Sequence, residues 1–164
     1  MIGTKFYKPL ETQEQLNAYS SAAEWCNANN ATIEDQGEYY EVVEIPGPTL
    51  EEAKTSKIDY LKSTRNAKEL EPILYNGVLF DADKDSLDRL NYAIITLTAT
   101  HTESIEWTTA ENTDVPMTVN DLNLVIASVG NRSNQLHIIY RDLKEQVNAY
   151  TTVEEVEAIT WPED

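Results

Sequence analysis

Residues 73–90 read ILYNGVLFDADKDSLDRL, and this stretch decides how the second half of the chain folds. The pair Asn76-Gly77 favours the positive backbone angles of a two-residue hairpin turn, and apolar runs flank it on both sides. Leu87 and Leu90 then begin an apolar pattern with helical spacing. The segment therefore predicts a β-hairpin that leads directly into a helix.

The aspartates of this stretch, Asp81, Asp83 and Asp85, alternate as they would at the start of a calcium-binding loop. Counted from Asp81, however, the sixth residue is Ser86 rather than glycine, and the twelfth is Tyr92 rather than glutamate. We therefore expect Asp85 to cap the helix and Asp83 and Asp88 to complement its dipole, with no metal or cofactor bound. Weak, incidental binding of a divalent cation by the acidic loop 81–88 is left open.

The same kind of cap recurs along the chain. A small oxygen-bearing residue followed three positions later by Glu, Gln or Asp forms a capping box, which satisfies backbone N–H groups at a helix start. The five candidates are Thr12 with Gln15, Thr49 with Glu52, Asp85 with Asp88, Thr118 with Asp121, and Thr152 with Glu155. Each pair predicts the first turn of a helix.

The first part of the chain is predicted to be a small strand, helix and hairpin module. TKFYK at 4–8 is the strand, and the helix runs from about Thr12 to Asn30. Two β-prone runs around Gln36-Gly37 form the hairpin. The apolar stripe of the helix is predicted to consist of Leu16, Tyr19, Ala23 and Cys26, with Ala22 and Trp25 beside it.

A segment rich in proline, PGPT at 46–49, marks the predicted domain boundary, because it cannot continue a strand. The helix after it, to about residue 70, is so polar that we predict a spacer or an oligomer contact. The domains expected are an α+β module (1–46), a linker with spacer helix (47–71) and a mostly helical domain with a β-hairpin (72–164). The fold class is α+β.

From Thr118 to Tyr150 the sequence predicts one long helix with a heptad seam, weakened near Ser133. One interpretation is that the seam packs on the helix 85–100 and the hairpin of the same chain. The other is an interface between subunits of a homo-oligomer. The candidate interface residues are Leu122, Ile126, Val129, Leu136, Tyr140, Leu143 and Val147.

Charge and composition narrow the classes of function. The chain has 12 Lys and Arg against 29 Asp and Glu, a net charge of −17, so it is repelled by nucleic-acid phosphates and by anionic membrane surfaces. No apolar stretch approaches the length of a membrane span or a signal peptide. We expect neither a nucleic-acid partner nor a membrane partner.

The residue types that usually carry catalysis are few. Cys26, the one cysteine, lies on the predicted buried side of a helix, and His101 and His137 stand far apart. The sequence contains no phosphate-binding loop, dinucleotide fingerprint or G-x-S-x-G motif. We predict no catalytic residue.

Four stretches taken in order carry a family resemblance. They are VVEIPGPTLEEAKTSKIDYLKSTRNA, YNGVLFDADKDSLDRL, IEWTTAENTDVPMTVNDL and YRDLKEQVNAYTTVEEVEAI. Over about residues 50–160 the chain resembles a domain of unknown function carried by many tailed phages and prophages, often encoded beside tail-fibre genes. The N-terminal module also resembles the front part of such proteins.

The resemblance implies a non-enzymatic tail protein, either a tail-fibre assembly chaperone or a minor structural component of the tail or tail tip. Its partners would be tail or tail-fibre proteins, in the virion tail or in the host cytoplasm during assembly. The family supplies no catalytic residues. The alternatives are a small carboxylate-based hydrolase of cell-surface polymer and an acidic phage protein that inhibits a host factor.

Overall fold

The structure is a computed structural model that describes residues 1–163. It confirms the predicted fold class, a mixed α and β protein with a small sheet and a mostly helical C-terminal part. The chain divides into two compact units, Met1–Pro48 and Thr49–Asp164. The division falls within the PGPT segment, where two prolines separate the last strand of one unit from the first helix of the other.

The first unit contains one helix and a three-stranded antiparallel sheet. Its elements are β1 (Lys5–Tyr7), α1 (Gln13–Ala28), β2 (Ala31–Asp35) and β3 (Tyr39–Glu44), and the strand order is β1-β3-β2. The predicted hairpin around Gly37 joins β2 to β3. Gly37 has φ +88, and its N–H donates to Asp35 Oδ1 over 2.8 Å, so the turn has the conformation that glycine tolerates best.

The core of this unit is small. Ala22 and Cys26 of α1, one helical turn apart, are buried against Ala31 and Val42 of the sheet. The predicted stripe is wrong at Leu16, which is 45% exposed, because the short sheet covers the helix mainly around Ala22 and Cys26.

The second unit is built around one long helix. Its elements are α2 (Leu50–Glu69), β4 (Ile73–Tyr75), β5 (Val78–Phe80), α3 (Lys84–Thr100), β6 (Ser104–Thr108), β7 (Asp114–Thr118), α4 (Val119–Ala149) and α5 (Val153–Glu157). The strands form two antiparallel hairpins, β4-β5 and β6-β7. The predicted Asn-Gly turn is confirmed, with φ +50 at Asn76 and +80 at Gly77.

The 31-residue helix α4 is about 46 Å long and packs into a different core at each end. Near its start, Leu122 and Val125 are buried in a cluster with residues of α3 and of both hairpins: Phe80, Leu90, Leu97 and Met117. Toward its end it contributes Leu136, Leu143 and Val147 to a second cluster, which also contains Ala53, Leu61, Val156, Ile159 and Trp161. One helix therefore connects two separate apolar cores.

The prediction of a spacer helix at 49–70 is wrong. Leu61 of α2 is 0% exposed and Ala53 is also buried, so α2 is a core element of the second unit. Its lysines are not simply solvent-facing: Lys57 Nζ donates to the main-chain oxygens of Glu157 (2.9 Å) and Ile159 (3.0 Å). A narrow apolar stripe is enough because Lys57 also bonds the α5 segment and Lys54 bonds Asn148 O of α4.

Four of the five predicted capping boxes are confirmed, with Thr12, Thr49, Thr118 and Thr152 as the caps. The fifth is wrong by two residues, because Asp83 rather than Asp85 caps α3. Asp83 Oδ1 accepts from the backbone N–H groups of Asp85 (2.9 Å) and Ser86 (3.1 Å). The helix therefore begins at Lys84, one residue before the predicted cap.

Candidate functional site

A cleft of the second unit lies between the start of α3 and the β6-β7 hairpin, with a volume of about 350 Å³. This is at the lower end of the range for small-ligand pockets. Its lining residues are Asp81, Ser86, Arg89, Glu106, Trp107, Thr108, Thr109 and Asn112. Most of them carry a hydrogen-bonding side chain, so the cleft is polar with one large aromatic ring.

One wall of the cleft is the turn that joins β6 to β7. Thr109 is only 3% exposed; its N–H donates to Thr113 O over 2.8 Å, and the two threonine hydroxyls are also 2.8 Å apart. Asn112 completes the turn with φ +57, a left-handed conformation that asparagine tolerates better than most residues. Ala110 N–H donates to Leu79 O of β5 over 2.9 Å, which fixes the turn to the other hairpin.

The opposite wall is the first turn of α3. The buried Ser86 hydroxyl donates to Asp83 Oδ2 over 2.6 Å and accepts from Arg89 Nη2 over 2.9 Å. The Ser86 hydroxyl, together with the backbone N–H groups of the first turn, holds the pKa of Asp83 below its ordinary value. Asp83 therefore stays ionised as a cap, and the serine is an orienting group for Arg89 rather than a free nucleophile.

Five side chains of the cleft keep hydrogen-bonding groups unused. Within residues 1–163, the Arg89 guanidinium bonds only Ser86 and has no carboxylate within 4.0 Å. Over the same residues, no side-chain hydrogen bond or ion pair engages Trp107, Asn112, Asp81 or Glu106. The cleft thus presents donors and acceptors of both charges beside a half-buried indole.

The seven candidate interface residues of α4 lie inside the unit. Leu122, Val129, Leu136, Leu143 and Val147 are buried, and Ile126 and Tyr140 are partly buried against the two clusters. This burial agrees with the intramolecular interpretation, and a homo-oligomer interface at the seam stays a prediction. The seam packs against α2 as well as the predicted helix α3 and hairpins, and it shares a buried cluster with Val156 of α5.

The polar interruption of the seam has a partner that the sequence did not predict. Ser133 Oγ donates to Glu69 Oε1 over 2.7 Å, and His137 Nε2 is 3.3 Å from the same oxygen. Arg132 donates to the main-chain oxygens of Glu69 (2.9 Å) and Pro72 (3.1 Å). Ser133 therefore joins the end of α2 to the middle of α4 instead of merely weakening the helix.

The remaining candidates for chemistry are also accounted for in the fold. Cys26 is buried in the core of the first unit, as predicted. His101 ends α3 in a left-handed conformation, with φ +55. Among residues 1–163, no group of three or more His, Cys, Asp or Glu is arranged to hold a metal ion.

No helix within the described part of the chain is long and apolar enough to cross a membrane.

The sequence did not predict the cleft, although its residues stand in two quoted motifs. Asp81, Ser86 and Arg89 come from FDADKDSLDRL, while Trp107 and Asn112 come from IEWTTAEN. The only sign of the cleft in the sequence was that one tryptophan, Trp107, and one arginine, Arg89, stand near predicted turns. It could not be used, because the cleft joins residues of α3 and of the β6-β7 hairpin that are 17 or more positions apart in sequence.

Comparison with known proteins identifies a family, and the description of that family states no function. No curated protein matches the chain, and no solved structure matches it. The model of one family, described as a domain of unknown function (DUF4376), matches residues 52–160. These residues run from the first turn of α2 to just beyond α5, and so include the cleft and, except for Trp161, the buried residues of both cores of the second unit. Because the match covers more than half of its length, the chain belongs to the DUF4376 family.

Proposed function

We propose that this chain is a non-enzymatic bacteriophage tail protein that acts through protein–protein contacts, either as a tail-fibre assembly chaperone or as a minor structural component of the tail. The observation that carries the proposal is the division of a 164-residue chain into two units, each with a core of its own. A chain built in this way offers two separate surfaces, one for each of two partners.

Exposed apolar side chains in both units support this role. The first unit exposes Met1, Ile2, Tyr7, Leu16 and Ile45, and the second exposes Tyr60, Leu70, Leu74, Tyr92, Ile95, Leu124 and Ile138. Tyr92 and Ile95 lie one helical turn apart on α3 and are 67% and 63% exposed. Aromatic and apolar residues of this kind are the usual anchors of protein interfaces.

The state of the potentially reactive groups also supports a binding role. The Cys26 thiol is buried among apolar residues, and the Ser86 hydroxyl is held between Asp83 and Arg89. His137 lies beside Glu69 at the contact of α2 with α4. Each of these groups already has a structural task in the fold.

The net charge of −17 fits a protein that works beside large fibre chains. High charge of one sign keeps a protein soluble and prevents it from associating with itself. Negative charge also discourages binding to nucleic acid, which is abundant wherever phage particles assemble.

Deletion of the gene from a phage or prophage that encodes this chain tests the proposal. We expect tail fibres that fail to trimerise if the chain is a chaperone. If it is a structural component, we expect the chain in wild-type virions and altered tails in the deletion strain. Fibres that trimerise normally without the gene, in a phage whose wild-type virions lack the chain, would refute both versions.

One observation favours the hydrolase alternative, because Asp81 and Glu106 share a single cleft. Glycoside hydrolysis uses two carboxyl groups on either side of the scissile bond. Release of reducing ends from purified cell-surface polymer, abolished in both Asp81→Asn and Glu106→Gln variants, would establish that alternative in place of the binding role.

A further inference from the structure

We propose that the cleft between α3 and the β6-β7 hairpin binds a neutral carbohydrate, recognised as one or two sugar rings. This goes beyond the proposed function, because it assigns a ligand class to a site that the tail role does not require. It rests on the unused hydrogen-bonding groups around the cleft and on its single indole ring.

The indole supplies the apolar part of the site. Trp107 packs partly against the core that contains Phe80 and Leu90, and it also lines the cleft. A ring held by a core on one side loses little conformational freedom when a ligand binds on the other. The C–H groups of a pyranose ring can pack on such an apolar surface, while its hydroxyl groups need polar partners around it.

The polar side chains of the cleft offer paired donors and acceptors, which can bond two neighbouring hydroxyl groups of a sugar at once. A guanidinium donates two parallel N–H bonds, a carboxylate accepts at two oxygens, and a carboxamide does one of each. Arg89, Asn112, Asp81 and Glu106 provide all three kinds around one cleft. Within residues 1–163 their side chains make only one hydrogen bond, from Arg89 to Ser86, so they remain available to a ligand.

The orientation of Arg89 is fixed in advance. Its Nη2 donates to Ser86 Oγ, and that hydroxyl is itself held by Asp83 at the first turn of α3. Fixing a donor before binding reduces the entropy lost on binding. This one hydrogen bond holds the exposed Arg89 side chain beside the cleft.

The mixture of charges disfavours ligands that carry charge of only one sign. A phosphate or an acidic peptide would meet the carboxylates of Asp81 and Glu106, and a lysine or arginine side chain would meet the cation of Arg89. A neutral polyol can bond with groups of both signs and repels neither. Carbohydrate is therefore the class that uses all the polar groups of the cleft.

The experiment uses the full-length protein labelled with ¹⁵N, after a glycan array has identified candidate oligosaccharides. Titration of the best candidate is expected to move the amide signals of residues 106–112 and of the start of α3. Asn112→Gly removes the carboxamide and suits the positive φ of this position, so it should leave the fold intact. We expect Asn112→Gly and Arg89→Gln each to weaken binding about tenfold or more.

Arg141→Gln is the matched control for Arg89→Gln. Arg141 is an exposed arginine of α4 in the same unit, with no hydrogen bond or ion pair to residues 1–163. It should bind as the wild type does, and thermal melting of each variant shows whether it is folded.

Two results would overturn the proposal. One is the absence of any array signal together with no shift of these amides at millimolar oligosaccharide. The other is a set of shifts produced by lysine-containing or acidic peptides and by no saccharide, which would make the cleft a peptide site. Both tests are made on the isolated protein, so their failure is distinct from failure of the tail role.

Discussion

Truncation of Leu61 to alanine tests whether α2 is a core helix or a spacer. The side chain is 0% exposed and belongs to the cluster that also contains Leu136, Val147 and Val156. The truncation removes about three buried carbon groups at roughly 0.8 kcal/mol each, or about 2.4 kcal/mol of transfer free energy. Incomplete collapse of the cavity raises the expected loss to about 3–4 kcal/mol.

The loss is measured by urea denaturation of the full chain, followed by far-UV circular dichroism. The midpoint should fall without a change in slope, because the mutation alters stability and not the surface exposed on unfolding. At about 4 °C per kcal/mol, the thermal midpoint of this unit should fall by roughly 12–16 °C. Leu70→Ala is the matched control, since Leu70 ends the same helix and is 60% exposed.

The control should change the free energy of unfolding by less than about 0.5 kcal/mol. If Leu61→Ala were equally mild, α2 would not be packed on α4 in solution. The spacer interpretation drawn from its polar sequence would then be correct.

Three further predictions concern the caps and the acidic loop. Replacing Thr118 by alanine removes the cap of α4 and should cost about 1 kcal/mol by urea denaturation, whereas Thr118→Ser should be nearly neutral. Hydrogen bonds from Thr118 and Tyr75 lower the pKa of Asp121, and those from Ser86 and the backbone lower that of Asp83. The stabilisation from both carboxylates is complete above their unfolded pKa, near 4, and is lost as the pH falls through the lower folded pKa. Asp83→Asn keeps a cap that does not titrate, so its acid unfolding curve should lose part of this pH dependence, and an unchanged curve would contradict the role given to Asp83. Millimolar calcium should leave the melting temperature of the protein unchanged, because Asp83 is committed to the helix cap, and a rise that is reversed by a chelator would show a cation site in the loop.

Local features of this fold could be predicted because their signals lie within a few residues. The Asn76-Gly77 turn and the four threonine caps depend on contacts that span three residues or fewer. Asp83 was expected to complement the helix dipole, and Asp85 to be the cap, because three aspartates alternate there. The backbone N–H groups of Asp85 and Ser86, which donate to Asp83 Oδ1, identify the true cap.

Features that depend on tertiary packing could not be predicted. The stripe of α2 is too sparse to identify its partner, and the lysines that looked solvent-facing bond carbonyls about a hundred residues away. Ser133 could be recognised as a break in the heptad pattern, but its partner Glu69 is 64 residues away. The cleft combines α3 with the β6-β7 hairpin, and no sequence period joins these elements.

The most direct test of the proposed tail role is the identity of the proteins that copurify with this chain from cells producing the phage. With a tagged chain, quantitative mass spectrometry should find a tail or tail-fibre protein in a fixed molar ratio. Introduction of negative charge at the exposed apolar pair, by Tyr92→Glu and Ile95→Glu, should test whether the α3 surface carries that contact. Recovery of the chain alone, or with partners that are not tail proteins, would contradict the proposed role.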